Sequence, residues 1–197
     1  MKALRKVWLL IAICVPMHSA AAHAAELGSY SIVKLSYGAN QVDINNDGIP
    51  DIVFFAWREN YNAHSFDVVT FYIQTPSTDS IKPWNIVPLF KKEKESLTLG
   101  VSGGADCVMN DFRLLKPKKS AQSLLIVAKR EYSESFNEEN FVDFQYYDLV
   151  SNADGEMGRP IVYFEYKKTV RAKNKYCDVN HAFRSELGLE NYMERNN

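Results

Sequence analysis

The chain has 197 residues, 46% of them hydrophobic and 13% aromatic, a length and composition suited to one packed domain and too short for two comfortable ones. Its formal charge is −1 and falls to −4 when the leader carrying Lys2, Arg5 and Lys6 is removed. No global positive field then recruits nucleic acid, and no basic cluster with interleaved aromatics is present.

Residues 1–24 have the form of a secretory signal: basic Lys2, Arg5 and Lys6, an apolar run from Val7 to Val15, and the small residues Ala22 and Ala24 around His23. The apolar run is too short to span a bilayer as a helix. Cleavage before Ala25 and export to a periplasm are expected, with residues 25–197 as a single β-rich domain and no membrane span in the mature form. Cys14 is not a lipoprotein cysteine, because bulky Ile13 precedes it.

A first strand is expected over 30–37. Ser31 and Lys34 there match Ser-x-x-Lys of penicillin-recognising enzymes, but alternation places them on opposite faces of a strand, and no Lys-Thr-Gly follows. Next come Asp43, Asn45 and Asp47 at alternate positions, then Gly48 for a sharp turn, the carbonyl of Ile49, and Asp51. These oxygens have the spacing of a calcium loop, and three carboxylates so close repel unless a cation screens them. Position twelve of an EF-hand would be Phe54, inside an apolar run, so that motif is rejected. A structural calcium on a loop before a strand is expected; the alternative is a plain Asx turn at Asn45–Gly48. The loop motif has no second copy, which argues against a propeller.

Further strands are expected over 52–57, 66–74, 86–90, 97–101, 123–131, 141–150 and 161–171. Turns fall at 75–79 and 151–155, and Lys116, Lys118 and Lys119 are expected in a solvated loop. In the last two strands Phe141, Asp143, Gln145 and Tyr147 alternate with Val142, Phe144 and Tyr146, and Ile161, Tyr163 and Glu165 with Val162, Phe164 and Tyr166, which suits a sheet with one solvated face. Asp178 caps a helix from Val179 to about Glu186, with Ala182, Phe183 and Leu187 as its buried stripe. The fold class is mainly β: an antiparallel, sandwich-like sheet with a short C-terminal helix. After leader removal only Cys107 and Cys177 remain, and in an oxidising compartment they are expected to pair. Closing that loop stabilises by about 4 kcal/mol, less any strain.

Arg58, Glu59, Asn60, Asn62, His64 and Asp67, with Tyr61 between them, form the candidate binding surface, because a turn alone needs fewer directional side chains. The plain alternative is that Asn60 and Asn62 make the turn and Arg58 pairs locally. His64 and His181 are 117 positions apart with no zinc-site pattern around them. Glu59, His64 and Asp67 would be the acid, base and orienting groups of a hydrolase, yet no serine elbow or phosphate loop accompanies them, and no catalytic residue is assigned.

The run from Asp43 to Gly48 leading into an apolar strand, the segment from Glu59 to Asp67 with Thr70-Phe71-Tyr72, and the later Ala105-Asp106-Cys107 and Tyr176-Cys177-Asp178-Val179 together resemble the CarG-like carbapenem intrinsic-resistance family. The resemblance implies a periplasmic, non-enzymatic protein of self-protection against a β-lactam, acting by holding the drug or by shielding a cell-wall enzyme. The alternative is a general envelope immunity or inhibitor protein that binds a peptidoglycan-directed enzyme or toxin.

Overall fold

In the computed structural model, residues 27–62, 64–74, 84–103, 107–118, 122–132 and 134–193 are described. In chain order the strands are β1 (Tyr30–Ile32), β2 (Gly38–Val42), β3 (Asp51–Arg58), β4 (Phe66–Gln74), β5 (Trp84–Ile86) and β6 (Leu89–Lys91). They continue with β7 (Lys94–Ser96), β8 (Leu99–Gly103), β9 (Val108–Pro117), β10 (Leu124–Arg130), β11 (Asn140–Ser151) and β12 (Val162–Tyr176), followed by α1 (Val179–Leu187). The strands form one sheet in the order β2-β3-β4-β8-β9-β10-β11-β12-β6-β7, with β1 on β9 and β5 on β4. Pairing is antiparallel except between β12 and β6.

The sheet curls until its two halves meet. The segment from β5 to β6 leaves β4, where the Val87 amide donates to the Phe71 carbonyl (2.8 Å), and reaches β12, where the Phe164 amide donates to the Pro88 carbonyl (2.8 Å). Inside this ring lies one core, in which Phe71 packs edge-on against Phe112 and Phe164. The two layers of the expected sandwich are thus two arcs of a single sheet.

A second core lies outside the ring, between the outer face of β9–β12 and α1. The apolar stripe of α1 is Val179, Ala182, Phe183 and Leu187, all buried, with the Phe183 ring 5.4 Å from that of Phe144. Asp178 caps the helix by accepting from the Asn180 amide at 2.7 Å. Gly188, at φ 66, ends it in the left-handed conformation. The disulfide Cys107–Cys177 joins the start of β9 to the end of β12 just before this cap.

The same outer core contains a buried ion pair. Arg113 Nη1 lies 3.3 Å from Asp111 Oδ2, with side-chain exposures of 0% and 4%. The guanidinium also donates to the Phe112 and Glu190 carbonyls and to Asn180 Oδ1, and it stacks over Phe183 at 4.3 Å. All three nitrogens of the cation are thereby hydrogen-bonded, as a buried charge requires. Burial raises the Asp111 carboxyl and lowers the Arg113 guanidinium from their ordinary values, each opposed by the other's charge.

Four expectations are corrected. The central strand β9 was expected as loop at its basic end; Lys116 is instead in the strand, paired with Ser31 of β1. Its Asn-Asp-Phe-Arg stretch hides a strand because the polar residues are satisfied inside the protein. The strand expected over 30–37 ends at Ile32, because Asn40 folds the chain back: its Oδ1 accepts from the Ser36 amide and its Nδ2 donates to the Ser36 carbonyl. The strands β2 and β7 also lie outside the expected set. Finally, β11 has no fully solvated face, since Val142, Phe144 and Tyr146 are buried under α1 while Gln145, Tyr147 and Leu149 are buried within the ring.

Candidate functional site

The strand pair β2–β3 is joined by the proposed metal loop. Asn46 (φ 61) and Gly48 (φ 85) take the left-handed conformation that bends it. The Asp47 amide donates to Asp43 Oδ1 at 3.1 Å and to Asn45 Oδ1 at 3.2 Å, and the Ile49 amide donates to Asp47 Oδ1 at 2.7 Å. The side chains of Asp43, Asn45 and Asp47 thus converge on one small volume. Asp51 faces elsewhere. It is fully buried at the start of β3, accepting from the Ile44 amide (2.8 Å) and the Gln74 amide (3.3 Å), and burial raises its carboxyl above the ordinary value. Lys116 Nζ lies 3.3 Å from Asp43 Oδ2. Asp47 Oδ2 accepts from Asn45 Nδ2 at 2.9 Å, Asp43 Oδ2 faces Lys116, and Asp51 is committed to the backbone. Among the described residues no group of three His, Cys, Asp or Glu side chains gathers in a metal-holding arrangement.

The β3–β4 connection carries the proposed binding surface, and its polar groups bond extensively to one another. Arg58 Nη1 donates to Asn60 Oδ1 (2.7 Å), Asn60 Nδ2 to the His64 carbonyl (2.8 Å), and the His64 amide to Asn62 Oδ1 (2.9 Å). Glu59 accepts from the Ser65 hydroxyl (2.7 Å), the Tyr61 amide (2.6 Å) and Trp57 Nε1 (3.2 Å), and these bonds hold its carboxyl below the ordinary value. Asp67 is buried on β4, where Oδ1 accepts from the Tyr37 hydroxyl at 3.0 Å. Burial raises the Asp67 carboxyl; burial and the bond to Asp67 push the Tyr37 phenol up to about 12. No hydrogen bond joins Glu59, His64 and Asp67 to one another among the described residues.

The loop still offers a surface. Tyr61 is 96% exposed, and the His64 ring lies 5.6 Å from that of Phe136, which contacts Tyr132 in turn. The hairpin loop therefore meets the β10–β11 connection in an exposed aromatic group. Cys107 and Cys177 lie toward the same end of the sheet, since Tyr176 pairs with Asn140 at the start of β11.

A cavity of about 390 Å³ opens between β6–β8 and β9–β11. Leu89, Leu99 and Val127 form its apolar floor and Gln145 and Tyr147 one wall, with Lys91, Lys94 and Lys129 at the mouth. Sequence reasoning missed it. In sequence Lys91 and Lys94 fall between two expected strands and Lys129 within a third; only the pairing of β6 with β12 gathers them.

The family profile described as "Carbapenem resistance protein CarG-like" matches residues 35–185. The solved structure "Crystal structure of CarG" is similar at 27% identity and a TM-score of 0.66, over 79% of this chain and 94% of that one. No significant match was found among curated proteins. The profile spans both the metal-type loop and the disulfide and covers most of the sheet, so the chain belongs to the CarG-like family.

Proposed function

We propose that this protein is an exported, non-enzymatic protection factor that guards a cell against a β-lactam in the periplasm, by binding the drug or by shielding a cell-wall enzyme. The observation that supports it most is the family match over residues 35–185, whose printed description is one of carbapenem resistance. Arg58, Glu59, Asn60, Asn62, His64 and Asp67 are its proposed working surface. The local bonds of that loop hold a fixed shape, which lowers the ordering cost of docking.

A second reading, an immunity or inhibitor protein that binds a peptidoglycan-directed enzyme or toxin, draws on the aromatic group of Tyr61, Tyr132 and Phe136, exposed by 96%, 69% and 43%. Aromatic side chains of this kind are favoured anchors for a protein partner.

The test is carbapenem susceptibility of a bacterium expressing the exported protein, with ultraviolet monitoring of drug incubated with purified protein. Protection with intact drug is expected; drug loss would make it an enzyme, and no protection would favour the second reading. Replacing Asn62 and His64 by Ala should reduce protection at a nearly unchanged melting temperature; retained protection would remove this loop from the account. Calcium is proposed as a structural ion on Asp43, Asn45, Asp47 and the Ile49 carbonyl, with Asp51 bracing the loop. The check is Asp47→Ala, which should lower the melting temperature mainly in the presence of calcium and much less in chelator.

A further inference from the structure

The mouth of the cavity inside the curled sheet is lined by one sign of charge. Lys91 and Lys94 are direct cross-strand partners in the β6–β7 hairpin, whose turn holds Lys92 at φ 57. Like charges placed directly opposite destabilise a strand pair, so this arrangement is unfavourable for the empty fold. Lys129 projects into the same mouth from β10, on the far wall. The cavity lining contains no Asp or Glu.

Carboxylates near the mouth are turned away or engaged. Glu95 follows Lys94 on β7 and alternation sends it to the opposite face, and Glu93 lies in the turn. Asp143 is the cross-strand neighbour of Lys129, but its Oδ1 accepts from Arg171 Nε at 3.0 Å. Lys91 has an aromatic contact, with Nζ 4.7 Å from the Tyr166 ring centre; no ion pair is formed by Lys91, Lys94 or Lys129 among the described residues. Burial, and then the charges of Lys91 and Lys94, hold the Lys129 ammonium below its ordinary value. A bound anion would relieve that repulsion.

Beneath the cations the cavity changes character. Leu89, Leu99 and Val127 are buried apolar side chains, and the Tyr147 hydroxyl donates to Gln145 Oε1 at 3.1 Å. On the opposite wall Asn110 Nδ2 donates to the Ser102 hydroxyl at 3.0 Å. A cationic mouth over an apolar floor suits a molecule with a carboxylate at one end and an apolar body at the other, and disfavours a fully hydrated inorganic anion. The volume of about 390 Å³ falls within the range of small-molecule sites, about 300–1,000 Å³. A cleft of single-sign charge with low-dielectric walls also focuses its field on an approaching anion.

We propose that this cavity is a binding site for a small organic carboxylate, with Lys91, Lys94 and Lys129 holding the carboxylate and Leu89, Leu99 and Val127 packing its apolar body. The proposal rests on the cavity and not on the protection reading. Two sources share this chemistry in a periplasm, the carboxylate of a β-lactam and the terminal carboxylate of a peptidoglycan stem peptide.

Isothermal titration of the mature protein with meropenem, with N-acetyl-D-alanyl-D-alanine, with the neutral amide of that dipeptide, and with inorganic phosphate separates them. At least one of the two carboxylates should bind with a submillimolar Kd, the neutral amide should bind at least about tenfold more weakly than the acid, and high salt should weaken the carboxylate. Lys91→Gln, Lys94→Gln and Lys129→Gln together should remove that binding while circular dichroism remains that of the parent and the melting temperature is no lower than the parent's. Failure of both carboxylates, equal binding by the triple variant, or tighter binding of phosphate than of either carboxylate would overturn the proposal. Binding of the dipeptide alone would sustain it while counting against drug capture; protection of cells without binding in any arm would leave the protection reading standing and remove this one.

Discussion

The two faces of the curled sheet treat charge in opposite ways. On the outer face, under α1, Arg113 is fully buried and its guanidinium bonds to Asp111, two backbone carbonyls and Asn180 and stacks on an aromatic ring. At the mouth of the inner cavity three lysines face one another without a counter-charge in the lining. The first arrangement is what a buried charge needs to be tolerated, and the second is what a fold avoids unless something else is to be bound. A disulfide and a capped helix reinforce the outer face, while the inner mouth is left open.

Breaking the outer ion pair is the severest test of that contrast. Asp111→Ala leaves Arg113 buried without its partner and should cost about 3–5 kcal/mol in chemical denaturation; a cost below about 1 kcal/mol would show that the outer face is not held by the pair. Replacing Cys107 and Cys177 together by Ser releases a constraint across a sequence separation of 70. It should cost up to about 4 kcal/mol, read from the same denaturation midpoints and slopes.

Alkaline titration probes the inner face. Burial pushes the Tyr147 phenol in the cavity wall up to about 12, and Tyr37 is raised to about 12 as well. In the unfolded chain both ionise near the ordinary tyrosine value of about 10. Between those values the folded protein binds more protons, so its stability should fall as pH rises from about 10 to 12. Denaturation midpoints across that window, with Tyr147→Phe and Tyr37→Phe as comparisons, test it; a flat profile would contradict the raised phenols. The smallest effect is expected at Lys94→Gln, which removes one member of the like-charged pair. Stability should be unchanged or higher by about 0.2–0.5 kcal/mol, and a clear loss would mean that Lys94 serves the fold and the contrast between the faces fails.

Much of the sheet was legible because alternation is a local signal. The strands β3, β4 and β10–β12 lie close to where the apolar period puts them, and α1 begins after its Asp178 cap as the pattern requires. The strand β9 was not legible. Its Asp111 and Arg113 interrupt the apolar pattern, yet they are buried at 4% and 0% exposure, because partners from α1 and the C-terminal segment satisfy them. The candidate loop shows the converse: clustered polar residues were conspicuous in sequence, and many of their hydrogen bonds close within the loop itself, as between Glu59 and Ser65 or Asn60 and His64.

The sequence by itself determined the mainly β class, the capped C-terminal helix, the pairing of Cys107 with Cys177 and the family, because each is carried by short-range periodicity, by the count of cysteines or by contiguous motifs. Only the tertiary structure decided that the sheet closes on itself, that both faces of β11 are covered, and that Lys91, Lys94 and Lys129 share one mouth. Those facts depend on which distant strands pair, above all the parallel contact of β6 with β12. Long-range pairing reflects the burial of whole faces, which no local window of the chain contains.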